Sequence, residues 1–163
     1  MIIFGIDPGT ATTGYSVIKM EDNKPILLEA SVFLTPSDME LQDRLLILHG
    51  LLNDKITQYN PERIVIEKIF FNSNAKTAIA VGQARGVLLL IAAQRKLKVF
   101  EYTALQAKLI VTGYGRSKKK EIQEAVKNYF NLEKIIKPDD ASDAVAISLC
   151  HIHKEIFKDA GNK

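Results

Sequence analysis

Asp7 after MIIFGI, Glu67 after RIVI, and Asp140 with Asp143 in PDDASDAV are four carboxylates, each placed by its local pattern at one end of a single sheet. Acidic groups gathered at the mouth of an apolar sheet repel one another and lose hydration, and a divalent cation among them relieves both costs. The chemistry implied is that of a metal-dependent enzyme. Hard oxygen donors suit Mg2+ or Mn2+, and the lack of clustered Cys or His argues against zinc. Each acid also has a plainer reading by itself. Asp139 or Asp140 could cap a helix, Asp143 could be a first-turn acid, and Asp7 could serve the DPG turn. Glu67 is harder to dismiss, because it ends a buried run with only Lys68 as an evident local partner. The conjunction carries the inference.

The elements that must position these acids follow from periodicity. Residues 2–6 are a continuous apolar run, as expected of a central strand covered on both faces. DPGT then turns the chain, with Pro8 fixing φ and Gly9 supplying conformational freedom. Residues 14–20 and 26–34 read as two further strands in an antiparallel meander, joined across the polar MEDNKP stretch. Apolar residues at 41, 45, 48, 52, 56 and 59 predict an amphipathic helix over 41–59, with Ser37 or Asp38 as its cap and Pro61 after its end. RIVIE (63–67) is a short buried strand. A helix over 74–95, begun by Asn72, Ser73 or Asn74, leads to the strand KVFEY (98–102). Strand–helix–strand order makes this half parallel. Helices near 103–110, 118–130 and 140–158 complete the chain, with Ser117 as a cap for the second.

The fold class is therefore α/β: one mixed sheet of five strands with helices on both faces. The length of 163 residues suits a single domain over 1–158, with 159–163 as a frayed tail. If the first strand and RIVIE are parallel neighbours, Asp7 and Glu67 emerge at the same carboxyl edge, where open α/β sheets place their sites. Asp140 and Asp143 stand three apart in a first helical turn, on one face and at the positive end of the helix dipole.

Composition is that of an average globular protein, with 47% hydrophobic and 25% charged residues. No apolar run approaches a membrane span, and the N-terminus enters a strand pattern without the basic flank of a secretion signal. A single cysteine, Cys150, fits a reducing cytoplasm and reads as a small core residue. The net charge of +3 is uninformative, but its distribution is not. Residues 108–137 carry eight Lys/Arg against three Glu, a net +5, which leaves the remainder at −2. That asymmetry points to nucleic acid. Within the segment, RSKKK (116–120) opens a helix, where cations oppose the dipole unless phosphates dock beside them. Phe70 and Phe71, after IEK, are candidates to stack on unpaired bases or to pack under a loop. Gly82, Ala84 and Gly86 permit close backbone approach, within the chain or to a second copy. His49, His151 and His153 repeat no ligand spacing with the acids. His151 lies two turns beyond Asp143 on a similar face, and so has both a structural and a peripheral site reading.

GIDPGTATTGY at 5–15, IEKIFF at 66–71, GQARG at 82–86, VFEYTALQAK at 99–108 and DDASDA at 139–144 together resemble the RuvC family of Holliday-junction resolvases along nearly the whole chain. The resemblance implies an RNase H-like fold, a cytoplasmic homodimer, and Mg2+-dependent cutting of four-way DNA junctions. It also implies work alongside the RuvA and RuvB branch-migration proteins. It assigns Asp7, Glu67, Asp140 and Asp143 as catalytic metal ligands, and leaves Asp139 as a helix-start residue. Two ions about 3.5–4 Å apart can activate water and neutralise the leaving oxygen. Asp7 would then bridge, with Glu67 on one ion and the Asp140/Asp143 pair on the other. By the same resemblance Lys108 and Lys119 lie beside the scissile strand and stabilise transition-state charge, and Phe70 stacks on a base. Arg116, Lys118 and Lys120 are the accompanying DNA-binding residues. Two other classes compete. An ATP-binding module of the actin/sugar-kinase class shares a D-x-G-T turn but needs a second related domain. A catalytically silent DNA-binding protein leaves the four acids unexplained.

Overall fold

The computed structural model describes residues 1–68 and 75–157. Five strands, β1 (Ile2–Asp7), β2 (Thr12–Glu21), β3 (Lys24–Leu34), β4 (Arg63–Glu67) and β5 (Lys98–Tyr102), form one sheet in the order β3-β2-β1-β4-β5. β1, β2 and β3 pair antiparallel, while β4 is parallel to both β1 and β5. The expected mixed sheet is thus observed. β2 and β3 run longer than their apolar cores because Asp22 and Asn23, at φ 48° and 61°, close a two-residue hairpin whose twist matches the strands.

The helices are α1 (Leu41–Tyr59), α2 (Ala75–Gln94), α3 (Ala104–Thr112), α4 (Lys119–Tyr129) and α5 (Asp139–His151), followed by a π-helical segment, Ile152–Phe157. The strand period of two divides the core. Phe4, Ile6, Tyr15, Val17, Ile64 and Ile66 pack against Leu48, Leu52 and Ile56 of α1 and Leu88 and Ile91 of α2. Ile3, Ile18 and Val65 point the other way, to Ala107 of α3, Ile122 and Val126 of α4, and Val145 and Leu149 of α5.

Three expected details differ. α1 is preceded by Glu40 rather than capped by Ser37 or Asp38, since a turn occupies residues 37–39. Ser117 does not cap α4; it is buried and its hydroxyl lies 2.7 Å from the Thr112 hydroxyl, so Lys118 takes the cap position. Regular α-helix ends at His151, where the 3.6-residue pattern gives way to the wider π turn. Asn72, Ser73 and Asn74, the proposed start of α2, lie outside the described residues.

α5 lies unusually close to β1 and β2, because small residues line the contact. An added Cβ on Gly5 would sit 2.0 Å from the Ser148 hydroxyl and 2.6 Å from the Ala144 carbonyl. Ser16, opposite Gly5 in the sheet, donates to the Ala144 carbonyl at 2.9 Å and meets the Ser148 hydroxyl at 2.9 Å. These buried hydroxyls satisfy each other, avoiding the roughly 1–3 kcal/mol that an unpaired buried polar group costs.

Candidate active site

Asp7 and Glu67 share the alternation of Gly5 and Val65, so both carboxylates leave the sheet on the face covered by α3, α4 and α5. The parallel register pairs Gly5 with Val65 and Ile6 with Ile66, so the next residues along, Asp7 and Glu67, stand side by side at the carboxyl edge. The turn after Asp7 is held by Thr13, whose hydroxyl donates to the Gly9 carbonyl at 2.5 Å. Gly9 is needed for room rather than for backbone freedom. Its φ is not in the positive region, but a Cβ would meet the Thr12 carbonyl oxygen at 2.1 Å.

A cavity of about 280 Å³ opens at this edge. Asp7, Glu67 and Asp143 line it with Lys108 from α3 and Lys119 from α4, over a floor that includes Ala104, Ala107 and Ile122. Burial, then repulsion from Glu67, Asp143 and Asp140, pushes the Asp7 carboxyl up to about 8. Burial, then Asp143, pushes Glu67 up to about 7, against the pull of Lys108 and Lys119. Asp143 is raised as well, chiefly by burial. Acids raised in a cleft, by burial first and by neighbouring like charge second, are a signature of a functional site.

Asp140, three residues before Asp143 on the same helix, does not line this cavity. It borders the neighbouring cleft formed by Gly9, Thr10, Ala11, Thr12, Ala80 and Val81. Three residues return a helix to within about 60° of its starting direction, so the two side chains are neighbours that open onto adjoining clefts. Asp140 remains near enough for its charge to raise Asp7 and Asp143. Among the described residues, no three Asp, Glu, His or Cys side chains converge tightly enough to hold an ion as they stand. The donor chemistry fits a hard divalent cation.

Of the basic residues expected at the site, Lys108 and Lys119 line the cavity. Arg116, Lys118, Lys119 and Lys120 belong to the loop and first turn of α4, where all four are exposed, whereas Lys108 of α3 is half-buried. The loop between α3 and α4 is drawn together by Thr112, which hydrogen-bonds to the Lys108 carbonyl at 2.8 Å and the Ser117 hydroxyl at 2.7 Å. Phe70 and Phe71 lie outside the described residues. Gly82 and Gly86 of α2 face open space, with nothing within 4 Å of an added Cβ, whereas Ala84 is buried within the chain. Cys150 is a buried free thiol, as expected of a core residue. His151 is a core residue too. It meets the Tyr102 hydroxyl at 2.9 Å and the Arg63 guanidinium at 3.0 Å, and burial holds it down at about 4.

Two features of the site were not anticipated from the sequence. The Thr103–Gln106 capping box at the start of α3 carries a legible signal, T-x-x-Q. The ion pair between Lys119 and Asp139 carries none, because its partners are far apart in the chain.

The sheet order, the helices on both faces and the acidic carboxyl edge define an RNase H-like fold with a nuclease-type site. The family model for crossover junction endodeoxyribonuclease RuvC matches residues 3–151. The crossover junction endodeoxyribonuclease RuvC of Halothermothrix orenii is 50% identical over 151 residues, 93% of this chain and 92% of that one. The Thermus thermophilus RuvC structure superposes with a TM-score of 0.85 at 28% identity, covering 99% of this chain and 97% of that one. The T. thermophilus RuvC structure in complex with Holliday junction substrate gives 0.83 at 28% identity, covering 93% and 92%. This chain belongs to the RuvC family of crossover junction endodeoxyribonucleases. Family membership sets aside the ATP-binding module and the silent DNA-binding protein. Among the described residues no helix is long and apolar enough to cross a membrane.

Proposed function

We propose that this protein resolves four-way (Holliday) DNA junctions as a cytoplasmic homodimer, hydrolysing one phosphodiester in each of two opposed strands with Mg2+, or Mn2+ in its place. The observation that carries the reading is one half-enclosed cavity lined by Asp7, Glu67 and Asp143 together with two lysines. All the acidic donors are hard oxygens, and Asp7 and Glu67 are pushed toward neutrality by burial first and then by neighbouring carboxylates.

Asp7, Glu67, Asp140 and Asp143 are the residues that would hold the metal, two ions in the proposed reading. When bound, the ions supply an activated water and neutralise charge on the leaving oxygen. Asp7, whose carboxyl is raised by Glu67 and by both α5 acids, would contribute to holding the metal alongside each of them. Lys108 and Lys119 reach the scissile phosphate from the rim and favour its more highly charged transition state. Arg116, Lys118 and Lys120 hold the flanking backbone, which fixes position without reading sequence. Phe70 follows the Glu67 strand in sequence, and its proposed role is to stack on an unpaired base.

Two symmetric incisions require two sites related by a two-fold axis. The exposed α2 surface suits that contact: Ile79 and Leu90 stand out to solvent, and Gly82 and Gly86 between them leave room for a backbone. Co-operation with RuvA and RuvB is the corresponding reading for partners, supported by family membership. A synthetic four-way junction incubated with and without Mg2+ tests the proposal. Paired symmetric nicks that DNA ligase reseals are expected only with the metal; an inert junction with Mg2+ and Mn2+ alike would overturn it.

A further inference from the structure

Lys119 and Asp139 are the first residues of α4 and α5, the two helices that carry a cation and an acid into the same cavity. The Lys119 ammonium donates to the Asp139 carboxylate, forming an ion pair across 20 residues of chain. Asp139 does not line the cavity, whereas Lys119 does. The two charges are in opposite standing with respect to their own helices. A cation at a helix N-terminus opposes the dipole and an anion there is favoured, so the pair offsets the electrostatic penalty that α4 carries.

Lys119 has a long flexible stem, and its side chain is 64% exposed. Left alone it would sample solvent, or fold inward onto Asp7 and Asp143, whose charges it feels. Among the described residues, Asp139 is the side chain to which the Lys119 ammonium is hydrogen-bonded. That bond is also the main cause of the raised Lys119 amine and the lowered Asp139 carboxyl. Exposed ion pairs contribute little to stability. The consequence of this one is positional: it ties the amine at the cavity rim and keeps it out of the carboxylate cluster.

We propose that Asp139 is a positioning residue for catalysis, holding Lys119 at the rim of the acidic cavity so that its amine is in place when the scissile phosphate arrives. Asp139 touches neither substrate nor cation in this role and acts only through Lys119. The proposal rests on the function assigned to Lys119 above. Two adjacent aspartates thereby have different roles, Asp140 serving the acidic centre and Asp139 the lysine.

The test is a double-mutant cycle on a synthetic four-way junction with Mg2+, read as single-turnover cleavage at saturating enzyme beside junction affinity. D139N should slow cleavage about tenfold, since a misplaced group loses rate rather than binding, while affinity stays within about twofold. D139E should recover most of the rate. In a K119A background, D139N should change the rate less than about twofold. Thermal unfolding of each variant separates loss of fold from loss of placement. D139N cleaving at or above the wild-type rate overturns the proposal, and so does a tenfold loss that persists without Lys119. If K119A itself cleaves like wild type, the role given to Lys119 fails; if K119A is impaired and D139N is not, only the role of Asp139 fails.

Discussion

Gly14 lies directly beneath the Asp140 carbonyl: a Cβ added at position 14 would stand 2.0 Å from that oxygen. Gly14 is also the sheet partner of Asp7. One glycine therefore couples the central acid of β1 to the first turn of α5, which carries Asp140 and Asp143. Gly14→Ala must push that turn away from the sheet. Overpacking of this kind costs about 1–3 kcal/mol, and displacing reacting groups by about 1 Å can cost on the order of 100-fold in rate. We expect G14A to fold with a lowered melting temperature and to bind junctions, but to cleave them at about one hundredth of the wild-type rate. Single-turnover cleavage below the melting transition measures this, and near-normal cleavage would contradict the proposed geometry.

Asp7 and Glu67 make the metal-free protein sensitive to pH in a definite sense. Both are raised above their unfolded values, Asp7 to about 8 and Glu67 to about 7. Groups raised in the folded state contribute stability at low pH that is lost as pH climbs through the folded values. His151, held at about 4 from 6.5, has the opposite effect, with its stability lost as pH falls through that interval. Above pH 6.5 the acids dominate, so stability without metal should decline from pH 6.5 to 8. Asp7→Asn should flatten most of that decline, raise the melting temperature at pH 8, abolish cleavage and retain junction binding. Mg2+ should restore the wild type at pH 8 and help D7N less. Melting curves with EDTA or Mg2+ check both signs.

Arg116, Lys118 and Lys120 cluster at the start of α4, and none of them lines the acidic cavity. Their substitution by Ala should therefore be felt in binding. Each lost phosphate contact should shallow the slope of log affinity against log salt by about 0.9, with cleavage of saturated junction within about twofold of wild type. Lys108→Ala, by contrast, should lower the saturated rate by on the order of 100-fold, because Lys108 lines the cavity. Affinity measured across a salt series, beside single-turnover rates, distinguishes the two groups.

Most of the framework was legible in the chain because it is periodic and local. Apolar alternation and strand–helix–strand order determined a mixed five-stranded sheet, and strand ends placed Asp7 and Glu67 on one edge. The charge imbalance between 108 and 137 marked the segment that borders the cavity. Tertiary packing decided what depends on distance between remote segments. It turned Asp143 into the cavity and Asp140 beside it, because helix rotation has a meaning only relative to the sheet beneath. It required glycine at 5 and 14 through contacts with α5, and at 9 through crowding within a turn. It also joined Lys119 to Asp139, a pairing no local pattern encodes, since hydrophobic periodicity orients whole elements but leaves the meeting of individual charges to their packing.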